Sequence, residues 1–343
     1  MSKTGRDGPR TLHTHRIPEC LVCGASGTTL YDGLADRLFG APGRWRMVRC
    51  SGSTCGLLWL DPAPLPADLE LAYGSYFTHA RAVVRPLAVR TLQRWVREGH
   101  YARRFGYVVR GVAVKRLLAL ALRARPHLAE WLDSLIMRLP PSPGGRVLDV
   151  GCGEGRTLEQ LRDLGWQVEG VDLDPRAVRS AETRGIPARL GTLADQHYPD
   201  ASFDAVVHRH VIEHVPDPVA LLAECRRVLR PGGRLVILTP NAMSLGHTRF
   251  GADWRGLEPP RHLQVFTPDS LRRAAETAGL RVVTLDTTAA GAAFIHAQSR
   301  LVSGDQGASP DDAAARCFDH EERERRARDP WAGEELWLTA TRD

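Results

Sequence analysis

The sequence of 343 residues predicts an α/β fold with a mostly parallel sheet, preceded by a small cysteine-bearing module and a helical stretch. Three observations carry that prediction. From Arg146 onward, short apolar runs alternate with amphipathic stretches of about ten residues, the rhythm of strand–helix–strand units whose strands line up in parallel. One of those runs, Val147–Val150, leads directly into a Gly-x-Gly-x-Gly turn. Four of the seven cysteines lie in the first 55 residues, as two pairs. With 43% hydrophobic and 25% charged residues, the chain has the composition of an ordinary folded protein, which excludes collagen-like, disordered and disulfide-scaffold classes.

Residues 1–16 are polar and read as a mobile tail; lacking an apolar signal region, they point to a cytoplasmic location. No run approaches the roughly 18 apolar residues of a membrane-spanning helix. Residues 17–66 form the cysteine module, with strand-like pieces at 44–48 and 57–60. Its two pairs, Cys20-x2-Cys23 and Cys50-x4-Cys55, are 26 residues apart and are followed by Gly24 and Gly56. Cysteine pairs on such turns make a tetrahedral zinc site. Four thiolates leave no open position, so the metal expected here is structural; reduced, unliganded thiols are the alternative. The odd cysteine total argues against a disulfide framework, and Cys152, Cys225 and Cys317 read as incidental.

The Pro-rich run 61–66 closes this module, and residues 67–143 read as a helical linker or lid. Leu128, Trp131, Leu132, Leu135, Ile136 and Leu139 recur with helical spacing and predict one apolar face. Between Arg81 and Arg138 there are 13 Lys and Arg against 3 Asp and Glu. The whole chain is only +6, so its basicity belongs to this segment. Within it, residues 110–123 are basic and apolar enough for peripheral contact with an anionic membrane, or for packing on the domain.

Residues 144–343 hold the α/β domain. Strands are predicted at 146–150, 167–172, 188–191, 203–208, 234–239, 281–286 and 335–341, with helices at 154–164, 175–184, 217–229 and 268–278. Thr267–Pro268 supplies an N-cap and a proline at the first helical position. Residues 289–333, Ala-rich and then densely charged, read as an insertion before the last strand.

The glycine turn is where a ligand is expected. Gly151, Gly153 and Gly155 allow a tight turn and close backbone approach, but their spacing is not the dinucleotide fingerprint G-x-G-x-x-G. Glu154 places a carboxylate where a pyrophosphate would meet the helix N-terminus. A ligand without phosphate and with a cationic centre fits better, and S-adenosylmethionine is one. About 20 residues on, Asp172 ends the next strand, where a carboxylate accepts hydrogen bonds from ribose hydroxyls.

Four stretches in order carry a family resemblance: the glycine turn, GlyValAspLeuAsp (170–174), SerPheAspAlaValValHisArgHisValIleGluHisValProAspPro (202–218) and LeuArgProGlyGlyArgLeuValIleLeuThrProAsn (229–241). Residues 146–241 resemble the core of class I S-adenosylmethionine-dependent methyltransferases. The resemblance implies a Rossmann-like sheet of seven strands, the last one antiparallel. It implies that Asp149, Gly151, Cys152 and Gly153 line the methionine end of the cofactor and that Asp172 holds the ribose. Leu173, Thr192 and Leu193 would flank the adenine, and Arg209 would face the bound cofactor. The N-terminal cysteines followed by a helical linker resemble bacterial small-molecule methyltransferases with a zinc-binding module.

His208, His210, Glu213 and His214 cluster after the fourth strand of the domain. Three readings stay open: a Glu213–His214 pair that caps the turn, a general base, or a divalent-metal site formed by His210, Glu213 and His214. The last follows from similarity to quinone-precursor O-methyltransferases, with His210 where those carry a glutamate. His210, His214 and His262 are thus the catalytic candidates. Arg261 and His262, in the loop Trp254–Phe266 that caps the substrate pocket in relatives, are candidates for acceptor contacts. The expected activity is methylation of an oxygen or carbon of a small-molecule acceptor, a sugar or secondary metabolite. An RNA methyltransferase gripping phosphates with the basic helices is the first rival, and a non-enzymatic S-adenosylmethionine-binding protein the second. HisArgHisVal (208–211) stands where amine-methylating enzymes often carry Pro-Pro-aromatic, which argues against nucleic acid.

Overall fold

The computed structural model describes residues 12–73 and 87–343. The expected tail lies outside the described residues as far as residue 11, as do residues 74–86 of the helical stretch. The N-terminal part contains β1 (Thr14–His15), β2 (Gly27–Leu34), β3 (Trp45–Cys50), β4 (Leu58–Leu60) and β5 (Ala63–Pro64), then α1 (Leu69–Ala72). β1 pairs antiparallel with β5, so residues 14–15 of the stretch read as a mobile tail are held in the module. The Asp61 carboxylate reinforces this by accepting from the Arg16 side chain and the Ile17 amide.

The helical stretch comprises α2 (Leu87–Arg104), α3 (Val112–Leu118), a 3-10 turn at Ala119–Ala124 and α4 (Pro126–Leu135). The apolar stripe read as continuing to Leu139 outruns its helix. Met137 and Arg138 adopt left-handed φ of 51° and 48°, and the Arg138 amide donates back to the Asp133 carbonyl, reversing the chain. Ile136 and Leu139 are buried all the same, whereas Trp131 of the stripe is exposed. Asp133, itself buried, ties α2 to α4 through His100 and Arg104, each at 2.7 Å.

The domain continues with β6 (Arg146–Val150), α5 (Arg156–Asp163), β7 (Gln167–Asp172), α6 (Pro175–Thr183), β8 (Ala188–Leu190), β9 (Phe203–Arg209), α7 (Pro218–Val228) and β10 (Leu229–Pro240). Then come α8 (Leu245–Phe250), β11 (Gln264–Val265), α9 (Pro268–Thr277), β12 (Arg281–Thr288), α10 (Ala292–Val302), α11 (Ala313–Arg328) and β13 (Glu335–Thr341). Seven strands make one sheet in the order β12-β13-β10-β9-β6-β7-β8. β6 to β10 run parallel, and β13 pairs antiparallel with both of its neighbours. That is the expected fold class. The apolar runs reflect burial on both faces. Leu148, Val150, Val206, Leu235 and Ile237 pack toward α7 and α9, while Val147, Val207, Val236 and Leu238 pack toward α4 and α5. The expected insertion 289–333 is α10 and α11.

The cysteine module is not a separate bead. Its sheet has the order β11-β4-β3-β2, so one edge comes from residues 264–265 of the domain. Cys20, Cys55 and Trp59 share a core with Phe266 and Leu271, and the Thr267 hydroxyl donates to the Cys55 carbonyl at 2.5 Å.

Candidate active site

The glycine turn sits at the carboxyl end of β6, in the middle of the parallel strands, where open α/β sheets hold ligands. Gly151 has φ 71°, and a Cβ there would lie 2.4 Å from the Val211 side chain. Gly153 has φ 53° with open space where its Cβ would be, a backbone surface a ligand can approach. The Gly153 amide donates to Asp172 at 2.7 Å, and the Asp174 amide donates to the other carboxylate oxygen at 2.8 Å. Each oxygen keeps a second lone pair for a hydroxyl. Leu173 next door is 70% exposed, an apolar surface suited to a purine ring. Thr192 is fixed by Asp195, which accepts from its amide at 2.8 Å and its hydroxyl at 2.7 Å; Leu193 is buried behind it. Asp149 is buried, and burial raises its pKa to about 7 against the opposing pull of Arg209. Cys152 is buried and faces Gly170. The Arg209 guanidinium donates to the Ser134 carbonyl beside Met137, bringing the end of α4 over the site. These residues fit an adenosyl ligand with a cationic centre. Glu154 pairs with Arg156 and Arg184, so its charge is more neutralised than the sequence implies.

At the end of β9 the three candidate histidines are sorted by their partners. His210, at φ 53°, lies between two carboxylates: Nδ1 is 3.1 Å from Glu213 and Nε2 is 2.8 Å from Glu335. Burial opposes its charge, but the hydrogen bonds to Glu213 and Glu335 outweigh it and raise the pKa to about 9. His210 is therefore an imidazolium at neutral pH, with no lone pair for a proton or a metal. Glu213 is wholly buried; despite that burial, His210 holds its pKa down at about 2, and its other oxygen accepts from the Thr239 hydroxyl at 2.9 Å.

His214 is only partly buried. Its Nδ1 lies 3.0 Å from the Arg261 carbonyl and 2.9 Å from the Tyr73 hydroxyl. A carbonyl only accepts, so Nδ1 carries the proton and Nε2 keeps the lone pair. Burial lowers the His214 pKa, keeping the ring neutral. His262 is buried, donates from Nδ1 to the Gly256 carbonyl at 2.7 Å, and is pushed well below the ordinary histidine value by burial. The chelating group in this region is Glu213, His214 and His262, whose ligand atoms lie within 4.8 Å of one another; it does not include His210.

The loop Trp254–Phe266 is mortar more than lid, being buried along its whole length. Arg261 is 1% exposed and paired with Asp36 at 2.9 Å, Glu258 at 2.7 Å and the Ala72 carbonyl at 2.9 Å, which binds the N-terminal part to the domain. Its surface is closed to an acceptor. Tyr73 and Glu335 went unnoticed in the sequence. Each reaches the site across more than a hundred residues, and neither stands in a motif.

In the module, Cys20 and Cys55 sulfurs are 3.6 Å apart, Cys23 and Cys50 sulfurs 3.3 Å, and all four lie within 4.8 Å of one another. Zinc–sulfur bonds of about 2.3 Å place tetrahedral ligands roughly 3.8 Å apart, so the set fits zinc. Gly24 and Gly56 have φ of 71° and 61°, and the Gly52 amide points at Cys50 sulfur at 3.3 Å, the local turns such a site needs.

Comparison with known proteins agrees with this geometry. Residues 123–285 match a family described as a methyltransferase domain. A Mycolicibacterium smegmatis protein named "Probable S-adenosylmethionine-dependent methyltransferase" is 36% identical over 169 residues, covering 47% of this chain and 64% of its own. A ubiquinone biosynthesis O-methyltransferase of Xanthomonas oryzae pv. oryzae is 42% identical over 117 residues, covering 32% and 48%. The same-named protein of Cereibacter sphaeroides is 38% identical over 152 residues, covering 41% and 62%. The chain thus spans about half to just under two thirds of these relatives' length. A solved S-adenosylmethionine-dependent methyltransferase from Mesorhizobium loti aligns over 62% of this chain and 98% of its own, at TM-score 0.45 and 19% identity. Residues 123–285 are therefore a methyltransferase domain, and its sheet order and glycine turn are those expected of the class I S-adenosylmethionine-dependent fold.

Proposed function

We propose that this protein transfers a methyl group from S-adenosylmethionine to an oxygen of a small-molecule acceptor on a sugar, phenol or secondary-metabolite scaffold, with His214 taking the acceptor's proton. The observation that carries this reading is the division of labour among the histidines. His210 is locked as a cation between two carboxylates, His262 is buried, and His214 is neutral, partly exposed and holds a lone pair on Nε2. When bound, the cofactor supplies a methyl already activated on a sulfonium. The protein's part is to hold, orient and desolvate. Asp172 accepts from the ribose hydroxyls, with Leu173, Thr192 and Leu193 around the base. Asp149, Gly151, Cys152, Gly153 and Arg209 surround the methionine end. Tyr73 and the Arg261 carbonyl fix the His214 ring, so its free nitrogen is the one offered to a hydroxyl. A carbon acid, which also sheds a proton, is served by the same arrangement. Two of the relatives above are named O-methyltransferases, which supports oxygen. The four cysteines hold a structural zinc that stiffens the module supplying Asp36 to the Arg261 joint.

Calorimetric titration with S-adenosylhomocysteine should show binding; no heat at about millimolar ligand overturns the reading. With an acceptor found from a panel of catechols, hydroxybenzoates and sugars, His214→Gln should lower kcat by about 10²–10⁴ at unchanged cofactor affinity. Wild-type kcat/KM should rise with pH through a pKa below the ordinary 6.5 of histidine and be flat at neutrality. A profile governed by a group near 9 would instead point to His210.

A further inference from the structure

The helical stretch between module and domain carries a surface that methyl transfer does not use. α2 and α3 are pressed together at Gly99, where a Cβ would lie 1.9 Å from the Lys115 carbonyl. Lys115 pairs with Glu98, and the Arg116 side chain donates to the Ala102 carbonyl at 3.0 Å. The far end of α2 is anchored to the body through Tyr101, which donates to the Leu132 carbonyl at 3.0 Å, and through the Asp133 ion pairs. This braced pair turns apolar side chains outward. Leu92 and Trp95 on α2, Val114 and Leu117 on α3, Leu120 just beyond and Val108 between the helices are all exposed, Leu117 at 66% and Val108 at 97%. Over residues 87–125 they are interleaved with ten Arg and Lys and a single acidic residue, Glu98.

We propose that this helical pair docks on an anionic lipid bilayer, the leucines, valines and Trp95 entering the headgroup–acyl boundary while the arginines meet lipid phosphates. Charge decides among the occupants. A second copy of the same surface is repelled by a like charge. RNA would satisfy the arginines but return nothing for exposed leucine and valine, because phosphate grips are polar and stacking needs aromatic faces. A bilayer with acidic headgroups satisfies both components, with long arginine stems lying along the apolar layer. No helix among the described residues is long and apolar enough to cross a membrane, so the contact is peripheral.

Flotation of the full chain with vesicles of phosphatidylcholine alone, or with about one third phosphatidylglycerol, tests this. The protein should float with the anionic vesicles only, and raising salt from about 0.1 M to about 0.5 M should weaken binding about ten-fold. The double variant Val114→Glu, Leu117→Glu should lose about ten-fold or more of the affinity, with its melting temperature and S-adenosylhomocysteine binding unchanged. No retention on anionic vesicles, undiminished binding by the double variant, or capture of poly-uridine RNA in place of vesicles would overturn the proposal.

Discussion

The two ends of the methyltransferase site are built at different ranges along the chain. At the proposed cofactor end most fixing hydrogen bonds are short in sequence: Gly153 to Asp172 spans 19 residues, Asp174 to Asp172 two, and Thr192 to Asp195 three, with Arg209 to Ser134, at 75, the exception. At the acceptor end they are long: His214 to Tyr73 spans 141 residues, Arg261 to Ala72 189 and Arg261 to Asp36 225. The first end is backbone and carboxylate on consecutive strand–turn–helix units. The second is a junction where the cysteine module, the helical linker and the last strand all deliver side chains. Local geometry can be written in a motif, whereas a junction exists only once the parts have packed.

Breaking the junction should produce the largest loss. Arg261→Met leaves the buried Asp36 carboxylate without its cation and Glu258 with Arg255 alone, which should cost about 3–5 kcal/mol, read in denaturant melts. A midpoint within error of wild type would mean that the module and domain are only loosely coupled.

A second lever on the same end is pH. Glu334 is buried beside Glu322; burial and the neighbouring Glu335 raise its pKa to about 8, and Glu322 is also raised well above the ordinary glutamate value. The folded protein therefore holds protons that the unfolded chain has released above about 4.5. Stability from this pair is full below about 4.5 and is lost as pH rises toward 8. Glu334→Gln, which still accepts from the Trp254 indole, should flatten the decline. An equally steep pH profile in that variant would place the titration elsewhere.

The cofactor end should respond in binding more than in folding. Asp172→Ala removes the acceptor proposed for the two ribose hydroxyls and should raise the S-adenosylhomocysteine Kd about 100-fold, from hydrogen bonds to a charged group. An unchanged Kd would remove the ribose assignment. Tyr73→Phe should slow turnover by about five-fold, one hydrogen bond's worth, at the same Kd, and its effect should vanish in a His214→Gln background. The smallest effect belongs to Asp195→Ala: its exposed bonds to Thr192 are local, and stability should change by no more than about 0.5 kcal/mol.

The same division explains what could be read in advance. The apolar runs placed the central strands β6, β9, β10 and β13 to within a few residues, because strands buried on both faces must be apolar throughout, and the strand–helix rhythm placed the more exposed β7, β8 and β12. Asp149, the polar interruption in such a run, and Asp172 at a strand end stood out for the same reason. Helix ends were less legible: the Leu128–Leu139 stripe concealed the reversal at Met137 and Arg138, which depends on a backbone hydrogen bond and not on a residue type. The resemblance points to Arg261 and His262 as acceptor contacts because the loop that bears them caps the substrate pocket in relatives. Their burial rests on Asp36, Glu258 and Gly256, only some of them near in sequence.

By itself, then, the sequence determined the mostly parallel sheet, the glycine turn followed by Asp172 at the next strand end, and the cysteine quartet, since each is a local pattern of periodicity or spacing; the antiparallel last strand came from the family resemblance. Only the tertiary structure decided that the module's sheet borrows β11 from the domain, that Tyr73 and Glu335 reach the candidate site's histidines, and which histidine stays neutral. The protonation of a histidine is set by what surrounds it, and His210 and His214, four residues apart on one turn, differ because packing gives one two carboxylates and the other a carbonyl and a phenol.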